Sequence, residues 1–430
     1  MWLYAWLRLR HKTAGHWARV MFVIVLGMYA SHLASEHKSR VDLYLYQRFS
    51  ELDWRPLEPR NTVIVLIDDE LFWRGRLAGR NPVKRDYLAE LIRVLDCAGA
   101  DVIALDIDLR SPDPNGQPSD HPDYASETTT FVKTIRRSTA DPHPCIARET
   151  SYSVPSRRIV LSRALGAHRD GHYVAQANIY DAAGLCHDDA STVTVTVYCG
   201  YLELPRDIRI LPPALVLDDG HRMASFALAI IQARRRLRPD EGLDVQDRLR
   251  FGSYIPTETW YGERKDGPPN VVFLAREILE QSPEARRQKF EGKIVLVGGT
   301  WSELAYRRGQ PVDLWTSPVG SIPGVLIHAN YVEALLDSRT HASLPELATR
   351  AIELGLLLLC LLAFTLRLRA WQKTAVVGAL LLSLLMSAYF AFQNLGVIFD
   401  VFIPLLFLAA HAVFEQVLEW RAKARLADVN

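Results

Sequence analysis

The chain has 430 residues, and 50 Lys and Arg stand against 49 Asp and Glu, leaving a formal net charge of +1. That balance excludes a partner held by bulk charge, nucleic acid above all. The apolar share of 49% suits a folded domain with a few membrane spans added.

The first apolar run, 17–35, follows Arg8, Arg10, His11 and Lys12. It is short, and Arg19 must snorkel toward a headgroup if the run is to span. Small residues at Ala30 and Ala34 leave open a cleaved signal peptide in place of a retained anchor. Three further runs, 348–366, 375–392 and 397–418, crowd the end of the chain, each near the roughly 20 residues that cross a bilayer. Basic residues flank them at Arg367, Arg369 and Lys373 and again at Arg421, Lys423 and Arg425, whereas Gln393-Asn394 carries no charge. Short basic loops stay cytoplasmic. Segments 1–16, 367–374 and 419–430 are therefore expected inside, and 36–347 outside as one large domain. Lipid is the first partner this layout implies.

Within the outer domain, Thr62–Ile67 is a continuous apolar run ending at Asp68-Asp69, as in strands covered on both faces. Pro82–Ala98 has helical spacing at Leu88, Leu91, Ile92 and Leu95, with Gly99 as a C-cap. Asp101–Ile107 is a second strand, completing a βαβ unit. Asp108–Pro144, rich in Pro, Asp, Ser and Thr, reads as a long loop. Short strands follow at Arg158–Leu161, His172–Asn178 and Ser191–Tyr198. Arg222–Arg236 reads as a helix, Val271–Leu274 as a strand leading into a helix through Gln281, and Lys293–Val297 as a third continuous strand. Gly324–Leu336 is the last helix before the final three runs. The expected fold is an α/β domain with a mainly parallel sheet and four transmembrane helices. Disulfides are allowed in the outer compartment. Cys97 falls on an apolar helical stretch and is expected to be a buried free thiol; Cys186 can pair with Cys199, and Cys145 with either.

The order of these pieces resembles the second type of CHASE sensory domain, the extracytoplasmic input module of bacterial cyclases and histidine kinases. The matching stretches are Val63–Asp69, Ala100–Asp106, Gly292–Thr300 and Pro318–Leu336, with a weaker echo at Ser225–Ile231. Three spans following such a domain, with Pro404 in the last, also fit the family arrangement. The resemblance implies a sensor in the bacterial inner membrane. The family carries a cytoplasmic kinase, cyclase or phosphatase, and 419–430 is too short to be one. A sensor of this form needs an output protein in trans, a kinase, a cyclase or a CHAT-type protease, and it can act as a homodimer. The alternatives are a membrane scaffold or effector governed by a partner, and an extracytoplasmic hydrolase.

Candidate site residues cluster at strand ends. Asp68, Asp69, Asp106 and Asp108 end two strands read as neighbours, at the edge where open α/β sheets bind ligands. They can hold a divalent cation or a polar ligand, or simply cap helices and anchor loops. Gly298, Gly299 and Thr300 end a third strand, where bare amides can hold an anion or the glycines can serve a tight turn. His328 and Asn330 begin the last helix beside this edge, as ligand contacts or as braces. His168 and His172 have zinc-like spacing, but Gly166 and Gly171 speak against the helix it needs. No Gly-x-Ser-x-Gly elbow, Walker loop or kinase signature is present, so neither catalysis, a cofactor nor a metal is expected. In the membrane, Ala379, Ser383 and Ser387 form a small-residue stripe for helix packing, within the chain or between copies. His411 is an ionisable residue expected to face protein.

Overall fold

The computed structural model describes residues 48–49, 52, 59–80, 82–110, 123–139, 158–167, 173–186, 196–205, 208–241, 248–252, 271–302, 313–317, 320–341 and 370–395. The chain divides into two units, Arg55–His341 and Met1–Trp54 with Ala342–Asn430.

The first unit is built on six parallel strands: β1 (Thr62–Ile67), β2 (Val102–Asp106), β3 (Arg158–Arg163), β4 (Val197–Tyr201), β5 (Val272–Leu274) and β6 (Ile294–Gly299). Their order across the sheet is β5-β1-β6-β2-β3-β4. β1 and β2 are therefore not neighbours, contrary to the sequence reading. β6 lies between them, pairing Ile64 with Leu296 on one side and Leu296 with Ala104 on the other. Nothing local in the sequence reports a strand inserted from so far along the chain.

Helices cover both faces, which explains the unbroken apolar strands. Val63, Val65, Ile67, Ile103, Leu105, Val295 and Val297 pack with α1 (Arg85–Cys97), α2 (Tyr124–Ser138), α4 (Ala275–Glu280) and α5 (Pro283–Phe290). The alternate face meets α3 (Phe226–Arg235) and α6 (Gly324–Leu336). Full burial of one such side chain contributes about 1.5–3 kcal/mol. α1 ends as its glycine predicts: Gly99 has φ +89°, and Ala100 N–H reaches back to the Leu95 carbonyl at 3.2 Å. Ser225 caps α3 by accepting from Leu228 N–H at 3.2 Å, and Ser282 does the same for α5 from Ala285 N–H at 3.3 Å, ahead of Pro283.

Three further readings are corrected. The expected loop Asp108–Pro144 contains α2, whose Tyr124, Phe131 and Ile135 face the core at helical spacing within a polar, Pro-flanked run. Arg222–Ala224 is a strand rather than a first helical turn, paired with Ala214–Val216. Cys97 is neither buried nor free. It sits off the apolar stripe of α1, exposed, and is disulfide-bonded. Cys186 is bonded to Cys199, with Cα atoms 5.9 Å apart, fastening the turn after Asp181–Ala183 to β4.

In the second unit, α7 (Ala370–Leu395) takes in the predicted run 375–392. Runs 17–35, 348–366 and 397–418, with His411, lie outside the described residues. Taken over described side chains, no helix is long and apolar enough to cross a membrane. One face of α7 is buried at Ala388, Ala391 and Phe392. Phe49 packs there, its ring 5.7 Å from both Tyr389 and Phe392. Tyr389 OH donates to the Leu52 carbonyl at 2.9 Å and Gln393 Nε2 to the Phe49 carbonyl at 3.4 Å. Ala379, Ser383 and Ser387 are on the exposed part of the helix, with Leu382, Met386 and Phe390.

Candidate functional site

The carboxyl ends of β1, β6, β2, β3 and β4 form one edge, and the sequence-predicted aspartates stand on it at different depths. Asp68 accepts from Leu71 N–H at 3.0 Å and pairs with Arg276 at 3.5 Å. Asp69 Oδ1 accepts from both Ser302 N–H (2.7 Å) and Ser302 Oγ (2.9 Å), tying the β1 loop to the β6 loop. Asp108 is half exposed and held in a fork by Arg110, whose Nε lies 2.9 and 2.8 Å from its two oxygens. Arg110 Nη1 continues to Gln176 Oε1 at 2.8 Å. These three carboxylates anchor loops, and among the described residues no group of acids, His and Cys has a metal-holding arrangement.

Asp106 differs. It ends β2 directly beside Gly298, partly buried. Burial holds its carboxyl well above the usual carboxylate range, and the nearby Asp313 raises it further. Such a carboxyl keeps its proton to higher pH than most, and the protonated form can donate a hydrogen bond. Asp313 in turn caps α6. Its Oδ2 accepts from Gly324 N–H at 3.0 Å, a role Pro323 at the N-cap cannot fill. The missing capping residue before Gly324 is the sequence signal that could have pointed to a carboxylate supplied from elsewhere.

The two glycines belong to β6 itself and serve packing. A Cβ on Gly298 would lie 2.5 Å from Val325 of α6, and one on Gly299 2.0 Å from the Trp301 ring. Thr300 N–H donates to the Ile67 carbonyl at 2.9 Å, so that amide is already engaged. Trp301 stacks on Phe72 at 4.4 Å. His328 and Asn330 are buried in α6, one to two turns past its start. The His328 ring meets Phe226 edge-on at 5.3 Å, and burial pushes its pKa down to about 4 against a hydrogen bond to the Leu202 carbonyl. Asn330 Nδ2 donates to the Leu326 carbonyl at 2.8 Å. His168 and His172 lie outside the described residues.

Sequence reasoning missed the third part of the edge, beyond β3 and β4. Glu203 Oε1 accepts from Leu165 N–H, while its Oε2 is buried without a partner. Burial raises the Glu203 pKa, with the Leu165 amide and Arg110 acting against it. Asn178 Oδ1 and Arg163 Nε are also buried and unpartnered. Both are tied to Asp181, which accepts from Asn178 N–H at 2.8 Å and from Arg163 Nη2 at 3.2 Å. One free donor and two free acceptors, in a loop cluster at the strand ends, suit a polar ligand or ordered water. A groove of about 560 Å³ runs alongside α2, lined by residues including Val132, Lys133, Arg136 and Ile179, and by none of the predicted site residues.

The CHASE2 domain family model matches residues 20–366. No curated protein and no solved structure matches the chain.

Proposed function

We propose, from the premise that the chain belongs to the CHASE2 family, that it senses a ligand or envelope condition at the carboxyl edge and passes the change along α6. CHASE2 domains are extracytoplasmic sensor domains of signalling proteins, and the sensory role follows from membership. The route is our own reading, and one observation carries it. α6 runs from that edge to the opposite one. Its first residue is capped by Asp313 beside Asp106, and its Glu333 grips the start of β1. Glu333 accepts from Asn61 N–H (2.9 Å), Asn61 Nδ2 (3.3 Å), Thr62 N–H (2.7 Å) and Thr62 Oγ1 (2.8 Å). Asn61 and Thr62 lie near the beginning of the unit Arg55–His341 and Glu333 near its end, so this contact ties the two ends of the unit together. A ligand that favours one position of α6 shifts the population only by its differential affinity for the two positions.

The four-span base is part of the proposal. The charge pattern sets residues near 49 and residues 393–394 on the same, outer side. The contacts of Phe49 with Tyr389, Phe392 and Gln393 fit that direction. The exposed stripe Ala379–Ser383–Ser387 is then available to lipid, to a second copy or to a membrane partner. In this reading a kinase, a cyclase or a CHAT-type protease in trans takes up the change.

Phosphatase fusions after residue 341 and after residue 372 test the topology. The first is expected to be active and the second silent, and the reverse pattern ends the reading. For transmission, Ser387→Cys copies are cross-linked in membranes with and without Gly298→Ala, which pushes α6. A changed cross-linking rate is expected; an identical rate removes α6 as the route.

A further inference from the structure

Arg85 opens α1 and is 1% exposed. Its backbone N–H donates to Glu127 Oε2 at 3.1 Å, its Nη1 donates to Thr128 Oγ1, and its guanidinium lies 3.5 Å over the Tyr124 ring. Glu127 and Tyr124 both belong to α2, so this contact joins the two helices. Two donors in it have no acceptor. Arg85 Nη2 is buried and unpartnered, and so is the hydroxyl of Tyr124, itself 6% exposed. An arginine can only donate, so the free group calls for an acceptor.

The charges do not balance either. Arg80 binds both oxygens of Glu127, through Nη1 to Oε1 and through Nη2 to Oε2 at 2.9 Å. Arg85 reaches that carboxylate only through its backbone, and among the described residues no carboxylate is hydrogen-bonded to its guanidinium. Asp86, the next residue along, is exposed and turned to Tyr87 N–H. Burying an uncompensated charge is costly. Proton loss is no escape for a guanidinium at neutral pH, although burial draws Arg85 down to about 9. The amino end of α1 adds its own partial positive charge at the same place.

We infer that the contact between α1 and α2 is a binding site for one small monovalent anion, of halide size, held by Arg85 Nη2 and the Tyr124 hydroxyl. Neither atom is exposed, so the ion sits there dehydrated and fastens α2 to α1. An extracytoplasmic domain has chloride at hand. The inference is independent of the sensing route proposed above.

The test uses the full-length chain in detergent. Thermal unfolding is followed in sodium bromide, sodium chloride and sodium gluconate at equal ionic strength. Bromide and chloride are expected to raise the midpoint saturably over gluconate, because an ion bound only by the folded state stabilises it by mass action. Tyr124→Phe keeps the ring and removes one donor, and should raise the half-saturating bromide about tenfold. Arg85→Met should abolish the halide effect. If that variant does not fold, the Tyr124→Phe shift and the anomalous bromide peak in wild-type crystals carry the test, the peak being expected within hydrogen-bond distance of both donors. Equal midpoints in halide and gluconate, an unchanged half-saturation in Tyr124→Phe, or only water at that position would each overturn the site.

Discussion

The two edges of the central sheet are built to opposite rules. At the amino edge every charged group named here has a partner. Glu333 is 1% exposed and accepts four hydrogen bonds from Asn61 and Thr62. Asp101 accepts from Arg158 at 3.2 Å and from Arg234 of α3, and Lys293 Nζ donates to the Arg60 carbonyl at 2.6 Å. At the carboxyl edge, Glu203 Oε2, Asn178 Oδ1 and Arg163 Nε are buried without partners, and Asp106 and Glu203 both hold their protons above the usual range. Unmade hydrogen bonds of this kind cost stability. Under the function we propose, the edge left wanting partners is the one that binds, and the closed edge is the one that holds the fold together.

The contrast can be broken hardest at Glu333. Glu333→Ala strands four donors and is expected to cost about 3 kcal/mol, read as a lower urea midpoint of the outer domain. Gly298→Ala comes next. Its Cβ meets Val325 at 2.5 Å, and overpacking of this kind costs about 1–3 kcal/mol. Its midpoint should fall, with a smaller penalty when Val325 is also cut to Ala. The pH dependence is subtler. Asp106 binds its proton more tightly folded than unfolded, so stability falls as pH climbs from the ordinary value of 3.8 toward the folded one. Asp106→Asn should flatten that part of the curve, measured by denaturant midpoints across the acid range. The smallest effect belongs to Glu203→Gln. With Oε2 already unpartnered and the charged form disfavoured by burial, it should move stability by about 0.5 kcal/mol at most. A loss as large as that of Glu333→Ala would erase the distinction between the edges.

How much of this the sequence discloses depends on the range of the signal. Thr62–Ile67 and Gly324–Leu336 coincide with β1 and α6 because burial and periodicity are properties of consecutive residues. The strand order does not follow, since Leu296 carries nothing that names Ile64 and Ala104 as its neighbours. The polar face of α2 masks it, and the apolar composition around Cys97 does not disclose that this residue stands off the apolar stripe of its helix. At the candidate edge, the aspartates were visible because they end apolar runs. Their partners were not: Ser302, Arg110 and Asp313 come from distant loops. Glu203 and Asn178 sit in short, irregular segments with no period to mark them.

The place of β6 in the sheet has a consequence for biogenesis. A polypeptide exported from its amino end delivers β1, β2, β3 and β4 well before β6, yet the middle of the sheet stays vacant until Ile294–Gly299 arrives. Pairings this distant close slowly, and strands waiting for them expose unsatisfied edges. The nascent domain therefore spends most of its translocation as two unjoined halves, and a truncation before residue 294 would leave a chain prone to aggregate rather than a smaller stable fragment.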